Sequence, residues 1–165
     1  MRTPDYWPEA TRELAVRDTV LRGLIARFPG LALGSRGDAF ATLARSIVGQ
    51  QISVKAAQSV WDRIGLRLGA VTPASIASAP RSRLRACGLS AQKAAYLTDL
   101  ARRFHSGTLE PARWHGLDDQ QVIAELTSVK GIGVWTAEMF LIFYLTRPDV
   151  LPLADLGLHR AMRMH

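Results

Sequence analysis

The sequence predicts an all-α protein. Three observations carry that reading: apolar residues recur at one-face helical spacing along almost the whole chain, several such runs begin on Ser or Asp, and no stretch alternates as a strand would. With 165 residues and 48% hydrophobic content, the chain can build one globular domain or two small helical lobes sharing a cleft.

The first helical pattern runs from about Glu9 to Arg27. Asp38 opens the next, to Gln51, with Phe40, Leu43, Ala44, Ile47 and Val48 on one face. Ser53 opens a third, to Leu68, which aligns Val54, Ala57, Val60, Trp61 and Ile64. Short helices follow over Pro73 to Ser78 and Arg81 to Cys87, and Ser90 caps a longer one reaching Phe104. Asp118 to Leu126 and Gly133 to Leu145 flank a glycine turn, and Leu156 to Met164 is the last pattern. Breaks fall at Gly34 to Gly37, Gly69 to Pro73, Gly107 to Pro111 and Arg147 to Pro152. Three regions are expected: an N-terminal helical segment over 1–37 belonging to a second lobe, a helical core over 38–145, and a loop with the start of further helices over 146–165.

Composition narrows the function. A net charge of +7 indicates an anionic partner, and the basic excess lies between Arg45 and Arg113. Arg81, Arg83, Arg85 and Lys93 cluster around a second helix-turn-helix joint at Cys87-Gly88-Leu89-Ser90. The apolar run from Met139 to Leu145 is far shorter than the ~20 residues a bilayer requires, and Met1 to Pro8 lacks the apolar core of a signal peptide, so the expected location is the cytoplasm, on the nucleoid in a prokaryote. The single cysteine, Cys87, excludes a disulfide framework, a thiolate-held iron-sulfur cluster or a zinc finger. The four histidines, His105, His115, His159 and His165, show no metal-ligand spacing with acids, so no catalytic metal is assigned.

Chemistry concentrates around the turn Lys130-Gly131-Ile132-Gly133-Val134-Trp135-Thr136. Two glycines let the backbone reverse sharply, and the first amides of the following helix, at Val134 and Thr136, then face outward where a phosphate can accept them. Leu126, Val129 and Ile132 are spaced to pack the hairpin, and Lys130 lies on the turn, placed to meet a phosphate. A Gly-x-Gly turn also occurs in plain helical hairpins; the basic chain and the apolar support beneath the turn favour a DNA backbone.

Three ordered stretches carry a resemblance: Phe40 to Ser53 with its Gly49-Gln50-Gln51-Ile52-Ser53 end, the hairpin ending in Trp135-Thr136-Ala137, and Val150 to Gly157 with Asp155. Together they resemble the DNA-3-methyladenine glycosylase II family of helix-hairpin-helix base-excision glycosylases, over roughly Asp38 to His165. The resemblance implies a two-lobed helical fold, a partner of double-stranded DNA containing alkylated bases, action as a monomer, and hydrolysis of the N-glycosidic bond of alkylated purines. It implies no cofactor beyond a structural monovalent cation at the hairpin carbonyls.

Within that resemblance each site residue has a chemical rationale. A purine alkylated on a ring nitrogen is a cationic leaving group, so one carboxylate suffices, and Asp155 would stabilise the oxocarbenium-like sugar, activate water, or both. An aspartate just ahead of a helix is ordinarily an N-cap, and the two roles can coexist. Trp135 stands where the lyase enzymes resembling endonuclease III carry a nucleophilic lysine, which implies a monofunctional glycosylase without strand cleavage. Its ring would stack on the flipped base or else sit in the core. Met139, one turn on, lines the base pocket where some relatives have an aromatic ring. Gln51 takes the wedge position that fills the gap left by an everted base; on spacing alone it is equally a polar turn residue.

Two departures stand out. A β-rich domain found in some relatives has no room in the short N-terminal segment, and the chain stops at His165, soon after Asp155, so the fold is read as truncated at its C-terminus. The alternative is a non-catalytic helix-hairpin-helix DNA-binding protein, with a glycosylase/lyase using an unplaced lysine as a third reading. Asp155 separates the first two, because a carboxylate beside the phosphates would only weaken simple binding.

Overall fold

A computed structural model describes residues 3–35 and 37–164. Arg36, in the Gly34 to Gly37 break, and His165 lie outside the described residues, as do Met1 and Arg2. Among the described residues there are eleven helices and no strand: α1 Trp7–Arg17, α2 Thr19–Arg27, α3 Ala39–Gly49, α4 Val54–Leu68, α5 Pro73–Ser78, α6 Arg81–Arg85, α7 Ala91–His105, α8 Pro111–Trp114, α9 Asp119–Thr127, α10 Val134–Phe143 and α11 Leu156–Arg163.

Most helices start where the expected caps stand. Asp38, Ser53, Ser90 and Asp118 accept the amides of Ala41, Ala56, Lys93 and Gln121 through their side chains, each interaction worth ~1 kcal/mol. The pattern from Glu9 to Arg27 requires correction, because it divides into α1 and α2. Asp18 leaves the helix at φ −136°, ψ 125°, and its carboxylate accepts the Leu21 amide to start a new one. An apolar period that continues across the break hides it. The segment after Gly107 also contains α8, opened by Pro111, which the spacing did not reveal. Finally, α10 stops at Phe143 rather than Leu145, and Thr146 adopts a left-handed φ of 51°.

The core gathers α3, α7, α9 and α10. Helix α3 packs on α7 and α9 on α10, burying Phe40, Leu43 and Ile47 with Leu97 and Leu100, and Leu126 with Phe140 and Leu141. Each such side chain contributes ~1.5–3 kcal/mol by leaving water. A ladder of rings, Phe40 to Phe104 to Trp114 to Phe140, crosses this core edge to face, and Tyr144 stacks on its end. The buried Trp114 indole donates to the Glu125 carboxylate. By contrast α1, α2 and α11 bury no residue completely. The N-terminal helices are tied to the stretch after α10 through the Tyr6 hydroxyl, which donates to Thr146 O at 2.8 Å, and the Ser35 hydroxyl, which donates to Tyr144 O at 2.9 Å. Among the described residues no helix is long and apolar enough to cross a membrane.

Candidate functional site

The hairpin between α9 and α10 is built as its spacing implied, with Leu126, Val129 and Ile132 all buried beneath it. Gly131 lies at φ 88°, and the Tyr96 ring packs so closely that a Cβ there would fall 2.1 Å from a ring carbon. The need for glycine is therefore internal at this position. Gly133 differs: its φ of −95° suits any residue, and a Cβ there would meet nothing within 4 Å. The open side of Gly133 faces solvent at the start of α10.

That helix start lacks a side-chain cap, whereas α2, α3, α4, α7, α9 and α11 each have one. The first amides of α10 lie in a surface where Gly133 is exposed and Val134 is 55% accessible. Uncapped amides at the positive end of a helix dipole favour an anion. Lys130 is exposed beside them. Thr136 is 6% accessible, and it is its backbone amide, in the first turn of α10, that would serve a phosphate. A helix that is apolar nearly all round does not disclose which face is outward.

Asp155 begins α11 and does so as a cap. Its Oδ1 accepts the Leu158 amide at 2.7 Å, while Oδ2 accepts the indole Nε1–H of Trp135 at 2.8 Å. Hydrogen bonding to the Leu158 amide, then to Trp135, outweighs a small desolvation and holds the carboxyl below the usual carboxylate range; the Gly157 amide and the His159 charge add to this. At Gly157 a Cβ would lie 3.0 Å from Asp155 Oδ1, so the bare backbone there leaves room for the oxygen. The ring of His159 reaches back to Leu153 O at 2.5 Å and braces the turn ahead of the carboxylate. Capping and an accessible, ionised carboxylate thus coexist in one residue.

Trp135 is 45% accessible, so it is a surface ring at the site rather than a core filler. Met139 lies one turn further along α10 and is half-buried. Gln51 is exposed at the corner after α3 in a left-handed conformation, φ 57°, which costs a non-glycine residue roughly 1–2 kcal/mol. It lines a cleft of about 380 Å³ with Gly131 and Gly133. The fold therefore brings Gln51 to the hairpin and Trp135 to Asp155.

Sequence reasoning missed three contributors. Gln50 Nε2 donates to Gly131 O at 2.7 Å, tying the corner after α3 to the hairpin. Lys93, grouped by sequence with the basic cluster, instead directs its ammonium at Val48 O and Gln50 O, while Arg81, Arg83 and Arg85 stay exposed. Tyr96 shapes the turn at Gly131. The repeated glutamine of Gly49-Gln50-Gln51 was the available signal for the first; the other two are tertiary contacts.

Among the described residues no group of three or more His, Cys, Asp or Glu side chains could hold a metal ion. At the hairpin, Ser128 O accepts from the Arg103 guanidinium, Val129 O from the Ile132 amide and Gly131 O from Gln50. A larger groove of about 480 Å³ between α3 and α4, where Arg45 lies over the Trp61 ring, contains neither the hairpin nor Asp155.

An all-helical domain with an anion-ready glycine hairpin and one indole-held carboxylate defines a helix-hairpin-helix protein of the base-excision class. Residues 44–165 match the family described as HhH-GPD superfamily base excision DNA repair protein, and the chain belongs to that family. It is 37% identical over 126 residues to DNA-3-methyladenine glycosylase 1 of Schizosaccharomyces pombe, covering 73% of this chain and 55% of that one. The fold superposes on the DNA-3-methyladenine glycosidase of Bacillus halodurans with a TM-score of 0.85 at 33% identity, covering 99% of this chain and 76% of that one. A Schizosaccharomyces pombe 3-methyladenine DNA glycosylase in complex with abasic DNA gives a TM-score of 0.80 at 30% identity, over 94% and 79% of the two chains. The chain spans about half the length of the curated relatives it matches.

Proposed function

We propose that this protein is a monofunctional DNA glycosylase that hydrolyses the N-glycosidic bond of alkylated purines, of the 3-methyladenine type, in duplex DNA. The observation that carries this is Asp155: its carboxylate is ionised, lies at the surface, and is held by the indole of an accessible tryptophan next to an uncapped helix start. The relatives named for 3-methyladenine, and one solved with abasic DNA, support the same substrate class.

The hairpin amides and Lys130 hold a phosphate of the damaged strand, Gln51 fills the stack, and the everted base rests on Trp135 with Met139 beside it. Such a base–aromatic contact is worth ~1–3 kcal/mol. The C1′–N bond breaks with its electron pair going to the cationic base, which leaves neutral. Asp155 stabilises the oxocarbenium-like sugar, and water adds to C1′ with loss of a proton to solvent. Because its pKa is depressed, Asp155 is a weak base, which favours charge stabilisation over proton abstraction. Trp135 has no nucleophilic nitrogen, so no Schiff base forms and the strand stays intact.

The test compares the protein with Asp155→Asn on methylated duplex DNA, with free purine base as the readout. Asparagine caps a helix as well as aspartate does, so the substitution removes charge without removing the cap. Release by the parent alone, at similar DNA affinity, is the expected result. A folded parent that binds DNA and releases nothing would leave a non-catalytic DNA-binding module.

A further inference from the structure

We propose that Lys93 is a positioning residue for base eversion, a clamp that joins the corner presenting Gln51 to the DNA-gripping hairpin. This rests on the reading of Gln51 as the wedge. The ammonium donates to Val48 O at 2.8 Å and to Gln50 O at 2.5 Å, so it closes the C-terminal end of α3, where free carbonyls concentrate negative charge. The Gln50 side chain continues the chain of contacts to Gly131 O at 2.7 Å. From the same helix as Lys93, Tyr96 packs against Gly131, and its hydroxyl accepts from Gln92 Nε2 at 2.5 Å. Helix α7 thus grips both sides of the cleft, with Gln51 held between them in its left-handed conformation.

A phosphate contact is the competing role for a lysine in a basic DNA-binding chain. Geometry disfavours it. Lys93 is half-buried, two of its three protons go to backbone carbonyls, and burial pushes its pKa below the ordinary lysine value, whereas Lys130 is exposed at the hairpin. What the clamp supplies is alignment: the wedge advances only if the corner after α3 is fixed relative to the strand that the hairpin holds.

The experiment uses the full chain as parent, Lys93→Met, Lys93→Arg, Gln50→Leu and the Met/Leu double variant. Single-turnover excision is measured on a methylated purine in duplex and on the same lesion in an unpaired bulge. Lys93→Met is expected to slow duplex excision about tenfold to a hundredfold, as small misplacements do, and to slow excision from the bulge much less, because less pairing has to be broken there. Arginine, which can reach the same carbonyls, restores most of the rate. Gln50→Leu reproduces the defect, and the double variant adds little to it, as members of one network behave. The dependence of duplex affinity on salt stays at the parent slope. A slope reduced by about one, or equal losses on paired and bulged lesions, would overturn the clamp in favour of a phosphate contact or a general loss of fold. A catalysis-free arm uses 2-aminopurine beside an abasic analogue: the parent raises its fluorescence and Lys93→Met does so weakly, and equal signals overturn the proposal. If the parent releases no base, the glycosylase reading fails while this fluorescence comparison still decides the clamp.

Discussion

The indole Nε1–H of Trp135 donates to Asp155 Oδ2 at 2.8 Å, so the ring and the carboxylate are one mechanical unit joining α10 to α11. The bond adds to that from the Leu158 amide in keeping Asp155 ionised. Trp135→Phe keeps a ring and deletes the donor. Asp155 should then titrate closer to the ordinary aspartate value of ~3.9, with kcat at neutral pH falling roughly tenfold, equivalent to ~1.4 kcal/mol. Carboxyl-carbon NMR of Asp155 across the acid range checks this. The depressed folded-state pKa means that the carboxylate's contribution to stability is complete above the unfolded value and fades as pH falls through the lower folded one, so the variant should lose it at higher pH. An unmoved titration would show that the indole does not influence the carboxylate.

The two hairpin glycines should respond oppositely to alanine. Gly131→Ala forces a methyl group into the Tyr96 ring and a left-handed backbone onto an L residue, so it should lower thermal stability by at least ~1–2 kcal/mol and weaken DNA binding through a distorted turn. Gly133→Ala meets neither obstacle, so stability should stay within about 1 kcal/mol of the parent. Its DNA affinity should nevertheless drop, because the methyl projects where a phosphate would approach. Thermal melts paired with binding isotherms separate the two, and unaltered affinity in Gly133→Ala would remove the phosphate from that spot.

Lys130→Ala should weaken binding to damaged and undamaged duplexes alike and lower the salt slope by about one. Thr136→Val, which removes the hydroxyl and keeps the backbone amide, should leave that slope unchanged. Isotherms at three salt concentrations decide the point; a selective loss on damaged DNA for Lys130→Ala would assign it to the lesion instead.

Asp18→Ala tests the division of the N-terminal segment. Loss of the cap on Leu21 should cost ~1 kcal/mol, read by thermal melting, with amide protection falling first at the start of α2. A continuous helix across position 18 would lose almost nothing, since alanine is the better helix former.

Much of the architecture is legible because its signals are local. Asp38, Ser53, Ser90 and Asp118 each sit one residue ahead of an apolar period, and a cap can be read without knowing what the helix packs on. Asp155 was likewise readable as a cap, but its pairing with Trp135 spans the loop after α10 and depends on how that loop folds back. Lys93 illustrates the limit most clearly. Charge counting groups it with Arg81, Arg83 and Arg85, and only the tertiary approach of α7 to the end of α3 turns its ammonium inward. The outward face of α10 is not legible either: it has apolar residues on nearly every side, so its periodicity carries no inward direction.

The tethers from Tyr6 and Ser35 both end on backbone carbonyls of the short stretch just past α10, at Thr146 and Tyr144. Loosening α1 and α2 would therefore be transmitted first to the strand of chain that carries Asp155, and only later to the ring-packed interior. The segment leading to Asp155 is thus tethered to helices that bury no side chain completely, whereas α10, which follows the hairpin, is packed into the ring ladder through Phe140.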